Sequence, residues 1–255
     1  MQITWIGGAT FLLELGNFRI LADPVFAHEF SVGKMVVTRE GDPAQIDFAN
    51  LTAVFVSCPR GDHFDRGVGQ LVDPTVPAYC PAEAEQVVVA AGFADVHVMA
   101  WEDRVSFEHH DENHDENHHE QLEIIAVPAP SRSGTADNGY FFVHKTPEKE
   151  YTAYWTGDAL WSDEVRNIQQ NHGYSNLLII HLGAERDENE NNIVSADSKE
   201  AMQIVYRMQP NAIVPIHHHT FSHFTEPVSE FEEKIAVTIY DRRLHILTEG
   251  ESYQK

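Results

Sequence analysis

The sequence predicts a mixed α/β fold in a single domain spanning residues 1–255, and three observations carry that prediction. The first 22 residues read as short strands joined by tight turns. Apolar strands and amphipathic helices alternate from about residue 53 onward, and no linker-like stretch divides the chain.

Taken in order, residues 2–6, 10–15 and 18–22 are strand-like runs, with Gly16-Asn17 supplying the hairpin turn between the last two. Residues 24–50 show no sustained period and read as an irregular excursion before a buried strand at 53–57. A helix near 82–91 and a strand near 95–99 follow, then strands at 121–127, 139–145 and 151–156. A helix near 161–170, a strand at 176–182, a helix at 196–208, a strand at 211–216 and a helix at 226–236 complete the series. Ser195 is placed to cap the 196–208 helix, because its hydroxyl accepts from a free N–H of the first turn and acidic residues follow it.

Composition narrows the function classes. A formal charge of −23 opposes binding to nucleic acid and to anionic membranes, since both gain affinity chiefly from Lys and Arg. With 42% hydrophobic residues the chain can bury a substantial core. No apolar run approaches the roughly 18 residues that span a bilayer. The opening residues lack the basic start and uninterrupted apolar centre of a secretory signal, so a cytoplasmic location is expected. Cys58 and Cys80 form neither a disulfide framework nor a CxxC knuckle and are expected as free thiols.

One segment stands apart. Residues 108–120 read EHHDENHDENHHE, with His110, His114 and His118 four residues apart. On a helix these would share a face and could hold a metal. With no apolar face to dock, the segment is more simply expected as a polar, mobile insert between strands.

The strongest local signal is Ser57-Cys58-Pro59-Arg60-Gly61-Asp62-His63-Phe64-Asp65, directly after a buried strand. Thr156-Gly157-Asp158 follows a second apolar strand and His217-His218-His219 a third. Carboxylates and imidazoles at three strand ends are the donor types of a hard or borderline metal site. His218, His219 and His223 are expected around such a site or on the surface.

The succession WIGGATFLLELGNFRILADPVF, SCPRGDHFD, VPAPSRSG, YWTGD and IVPIHHHTFSHF resembles the metallo-β-lactamase superfamily. Within it, the chain is most similar to the branch of ascorbate-phosphate lactonase and the N-acyl-phosphatidylethanolamine phospholipase D type enzymes. The resemblance implies an αββα sandwich, two mixed β-sheets face to face with helices outside, and a site along one edge between them. The family's signature is H-x-H-x-D-H, in which the first two histidines serve one metal and the Asp-His pair the other. Cys58 and Arg60 stand at the first two positions here, Ser131 replaces the third histidine of that metal, and Gly8 replaces a further histidine. The second set is intact: Asp62, His63, Asp158 at the bridging position and His217. Asp23 matches an aspartate that orients a histidine or caps a turn.

The resemblance therefore implies one divalent metal, zinc by preference with manganese or iron as alternatives, held by Asp62, His63, Asp158 and His217. Arg60 cannot ligate. About 4 Å from a divalent ion it would meet repulsion on the order of 8 kcal/mol at an effective dielectric near 20, so it and a first metal exclude one another. Arg60 is expected to pair with Asp158 or receive an anionic substrate group, or else to turn to solvent. Cys58 is expected to pack as a small hydrophobe rather than ligate.

The function so implied is hydrolysis of an ester, lactone or phosphodiester in a small, anionic substrate. A metal-activated water would attack, Asp62 and Asp158 would orient it or accept its proton, and Arg60 would stabilise developing charge. The alternative is a metal-free member that binds a ligand or partner without chemistry, marked by an Arg60–Asp158 salt bridge filling the pocket.

Overall fold

Period-two burial of large apolar residues stacks two sheets against each other. The computed structural model describes residues 1–27, 31–32, 35–110, 119–131, 135–186 and 193–255. These form, in chain order, β1 (Gln2–Gly7), β2 (Thr10–Leu15), β3 (Phe18–Ala22), β4 (Ser31–Val32), β5 (Met35–Val36), β6 (Ala53–Phe55) and β7 (Ala78–Cys80). Next come α1 (Glu85–Ala90), β8 (Val96–Val98), β9 (Arg104–His110), β10 (His119–Pro128), β11 (Asn138–Lys145), β12 (Glu150–Trp155) and α2 (Asp163–His172). The chain closes with β13 (Leu177–His181), α3 (Ser198–Met208), β14 (Ala212–Ile216), α4 (Val228–Ala236) and β15 (Ser252–Gln254).

One sheet has the order β15-β1-β2-β3-β6-β7-β8 and the other β14-β13-β12-β11-β10-β9, while β4 and β5 pair by themselves. Both large sheets are mixed. Antiparallel meanders give way to parallel strands at β3–β6–β7–β8 and at β12–β13–β14. Between the sheets Phe11, Phe55, Ile124, Tyr140, Phe142 and Trp155 are fully buried. Phe11 meets Trp155 edge to face at 5.1 Å, a geometry worth about 0.5–1.5 kcal/mol beyond area burial. Val165 and Ile168 of α2, Val205 of α3 and Phe231 of α4 cover the outer face of the second sheet against Leu178 and Ile180. Val88 of α1 covers the first sheet against Val54 and Cys80. The layers are thus helix, sheet, sheet, helix, as expected.

Several boundaries differ for local reasons. The cap of α3 is Asp197, not Ser195: its carboxylate accepts from Glu200 N at 2.7 Å, while Ser195 Oγ accepts from Glu185 N at 2.9 Å. Ser162 caps α2 by accepting from Val165 N, so that helix starts after 162 rather than at 161. The 82–91 helix divides into a 3₁₀ turn at Ala82–Ala84 and α1. Strands β7, β9 and β15 were not foreseen. The first and last are three residues long, and β9 is a polar edge strand. The expected loop at 108–120 is strand at its flanks, where His110 pairs with His119 and His109 with Glu120. Residues 111–118 of that expectation, including His114 and His118, lie outside the described residues. Cys58 and Cys80 are buried and unbonded to each other, as predicted. Among the described residues no helix is long and apolar enough to cross a membrane.

Candidate metal site

Four strand ends meet at one edge of the sandwich. β6 leads into Ser57 to His63, β12 into Thr156-Gly157-Asp158, β13 ends at His181 and β14 leads into His217. Parallel registers such as Trp155↔Ile179 and His181↔Ile216 align three of these ends, the usual place for ligands in such sheets. Two backbone positions sharpen the turns. Gly157 has φ +53, and a Cβ there would lie 2.8 Å from Asn138 O. His217 has φ 60, a left-handed conformation that costs a non-glycine residue of order 1–3 kcal/mol. Its N–H donates to Gly8 O at 2.9 Å.

His63 is aimed by a buried carboxylate. Its Nδ1 donates to Asp23 Oδ2 at 2.7 Å, while Ser57 donates from Oγ to Asp23 Oδ2 at 2.6 Å and from N to Oδ1 at 2.7 Å. Anchoring Nδ1 on Asp23 makes Nε2 the nitrogen that faces the site, the usual arrangement behind a metal-ligating imidazole. Asp23 therefore orients a histidine, as one of its two expected roles required. Burial opposes the charge of His63, but Asp158, Asp62 and Asp23 reverse the sign and raise its pKa well above the usual imidazole value.

Asp158 is fully engaged. Its Oδ1 accepts from His181 Nδ1 at 2.8 Å. His181 Nε2 in turn accepts from Trp155 Nε1 at 2.8 Å, and because an indole nitrogen only donates, the histidine is the Nδ1–H tautomer. Burial then pushes the His181 pKa down to about 3, so the ring is neutral. Asp158 Oδ2 accepts from Arg60 Nη2, and Arg60 Nη1 lies 3.1 Å from Asp137 Oδ2. Asp137 also accepts from Ser131 Oγ at 3.0 Å and Thr135 Oγ1 at 2.5 Å.

Arg60 and Ser131, which stand where the family has first-metal histidines, are therefore joined through Asp137. Arg60 points inward rather than to solvent. Cys58 is buried beside them, with burial pushing its thiol up to about 11. Gly8 has no room for a larger residue, since a Cβ would lie 2.7 Å from the Phe221 ring.

The other flank is different. Asp62, 1% exposed, has Oδ2 at 3.2 Å from His223 Nε2, 3.4 Å from His217 Nε2 and 4.0 Å from His63 Nε2. Glu185 Oε1 lies 3.8 Å from His223 Nε2. None of these contacts has hydrogen-bond geometry. Both oxygens of Asp62, Nε2 of His63 and His217, both ring nitrogens of His223 and Glu185 Oε2 are buried without a hydrogen-bond partner. Each such group costs about 1–3 kcal/mol if left unmatched.

Donors around a tetrahedral zinc with bonds near 2.0–2.1 Å stand about 3.3 Å apart, so the spacing around Asp62 fits a divalent cation. His217 Nδ1 faces Leu182 O at 3.2 Å, which leaves its Nε2 for a cation. Ligand atoms of His63, Asp158, His181 and His217 lie within 4.8 Å of one another, as do those of Asp62, Glu185 and His217. Burial alone would raise the Asp62 pKa, but His63, His217 and His223 outweigh it and hold the carboxyl well below its ordinary range.

The structure gathers all four expected ligands, with Arg60 and Asp23 beside them. It adds His181 and Glu185, which the sequence reading missed, and moves His223 into contact with Asp62. His181 had a signal: it ends an apolar strand just as His217 follows one. Glu185 had none. His218 is half-buried against Trp5, 4.8 Å between rings, whereas His219 is exposed near Glu40.

The chain is 24% identical to a UPF0173 metal-dependent hydrolase of Methanopyrus kandleri, over 100% of both chains. It is 26% identical to an uncharacterized protein of Mycobacterium tuberculosis across 92% of this chain, which spans 63% of that relative's length. Its fold is similar to that of an isothiocyanate hydrolase from Delia radicum gut bacteria, with a TM-score of 0.77, 18% identity, and coverage of 100% of this chain and 99% of the other. Residues 18–218 match the β-lactamase superfamily domain, and since that match takes in well over half of the sequence, the chain belongs to this superfamily.

Proposed function

We propose that the protein is a metal-dependent hydrolase that uses one divalent cation, zinc by preference, on a small anionic ester, lactone or phosphodiester. The observation that carries this reading is the convergence of buried, unpartnered donors from Asp62, His63 and His217, with Asp158 beside them. The metal-dependent hydrolases among its relatives support the reaction class. The resemblance to the lactonase and phospholipase branch supports the choice of substrates.

When bound, the cation supplies Lewis acidity and lowers the pKa of a coordinated water towards about 7. Asp62, whose oxygens have no hydrogen-bond partner, would orient that water, while Asp158 would hold Arg60 and His181 through its own two oxygens. Arg60, a fifth exposed, holds a fixed positive charge where the family has its first metal and faces the anionic part of the substrate. His181 holds Asp158, and Asp23 holds His63.

A second reading, a metal-free binding protein, is favoured by one observation: the Arg60–Asp158 pair. That pair satisfies only its own flank and leaves both Asp62 oxygens, His217 Nε2 and both His223 ring nitrogens without hydrogen-bond partners. Metal content of full-length protein by inductively coupled plasma mass spectrometry decides between them, beside an Asp62→Ala, His217→Ala double variant. Bound metal in the wild type that is lost in the variant, together with hydrolysis of one of the three substrate classes, is expected. No difference between the two proteins would leave the binding reading.

A further inference from the structure

We infer that Asp62, Glu185 and His223 form a second cation seat, sharing only the two-oxygen Asp62 carboxylate with the seat described above. The inference rests on the proposed metal dependence and adds to it. Glu185 and His223 occupy none of the positions of the H-x-H-x-D-H signature or its downstream ligands.

Three observations carry it. The first is spacing: His223 Nε2 is 3.2 Å from Asp62 Oδ2 and 3.8 Å from Glu185 Oε1, and ligand atoms of Asp62, Glu185 and His217 lie within 4.8 Å of one another. The second is satisfaction. Glu185 Oε2, both Asp62 oxygens and both His223 nitrogens are buried with no hydrogen-bond partner, and Asp62 is 1% exposed. Two carboxylates and an imidazole are donor types of a hard or borderline divalent ion.

The third is the scaffold that holds these groups. Glu185 N donates to Ser195 Oγ at 2.9 Å, Ser195 Oγ donates to Leu182 O at 3.2 Å, and the same Leu182 O faces His217 Nδ1. The segment that carries His223 is pinned to the same turn, with Thr225 N donating to Gly183 O at 2.8 Å and Thr225 Oγ1 to Ala184 O at 2.5 Å. Phe224 packs against the His223 ring, 4.5 Å between centroids. Such outer support is what orients metal ligands and commonly changes affinity by about 10–100-fold when removed.

Charge adds to the case. Asp23, Asp62, Asp137, Asp158 and Glu185 all lie at this edge, and Arg60 is the fixed cation that the described residues place among them. A divalent ion on the Asp62 flank offsets the carboxylates that Arg60 does not reach.

The test is calorimetric titration of metal-depleted, full-length protein with zinc, in wild type and in Glu185→Gln, His223→Ala and Asp62→Ala plus His217→Ala variants. Anomalous diffraction at the zinc edge on wild-type crystals gives a readout that does not depend on how the variants fold. The expected result is an anomalous peak within bonding distance of Glu185 and His223. Glu185→Gln and His223→Ala should each lose one equivalent or weaken it at least about 100-fold. If both titrate like wild type while the double variant loses its metal, the second seat is refuted and the hydrolase reading stands. If wild type binds no zinc, both fall.

Discussion

On the Arg60 flank, Asp158 and Asp137 accept from a guanidinium, from His181 and from the hydroxyls of Ser131 and Thr135. On the His223 flank, the side chains of Asp62, His217, His223 and Glu185 crowd within 3.2–3.8 Å without an aligned hydrogen bond to one another. Both flanks are buried and acidic, so depth and charge do not separate them. What separates them is whether the protein supplies its own positive charge. A carboxylate matched by Arg60 forms a structure complete in itself. Carboxylates and imidazoles left unmatched at the same depth offer a place for a cation from outside the chain.

Removing Arg60 should break the contrast most severely. Arg60→Ala leaves Asp158 and Asp137 facing each other without a guanidinium, a change that costs about 3–5 kcal/mol when one partner of a buried pair is lost. Denaturant unfolding at neutral pH measures it. Zinc should recover part of the loss by binding where the arginine was, and a loss under about 1 kcal/mol would mean that the pair is not structural.

Asp23→Asn is a smaller perturbation on the other flank. It weakens the support of His63 and should reduce zinc affinity about 10–100-fold while leaving the fold intact. Calorimetry checks it, and an unchanged affinity would remove His63 from the ligand set.

Acidity sharpens the comparison further. In the metal-free protein, burial lowers the His217 pKa less than Asp158 and Asp62 raise it, and His63 is raised in the same sense. Their stabilising charge is fully present below the ordinary imidazole value and is lost as pH rises through the raised values. A cation must displace those protons. The zinc-induced rise in Tm should therefore grow from about pH 6 to about pH 9, and a flat profile would argue against imidazole ligation. Ser131→Ala should have the least effect, about 1 kcal/mol or less in unfolding measurements, because Asp137 keeps Arg60 and Thr135.

How much of this could be read from the sequence follows the same division. Asp62, His63, Asp158 and His217 were legible because each follows an apolar run that the core requires to be a strand. The sandwich was legible from the family motifs in their order. Glu185 was not, and His223 was expected only around the site or on the surface, because their approach to Asp62 depends on the turn at Gly183-Ala184 and on a left-handed His217. Neither feature leaves a period or a spacing behind. Ser195 misled for a related reason: a serine before a helix reads as a cap, whereas here its hydroxyl bridges Glu185 and Leu182 and the next acid caps instead. Strand β9 escaped notice because an edge strand need not be apolar.

The hydrogen bond from Trp155 to His181 has one more consequence. Two bonds in series, Trp155 to His181 and His181 to Asp158, couple a carboxylate at the site to an indole in the middle of the core. The unmodified protein therefore carries a fluorophore wired to its own site. Events at Asp158 should register in the emission of a shielded tryptophan, separable from the more exposed Trp101 by its resistance to solvent quenchers.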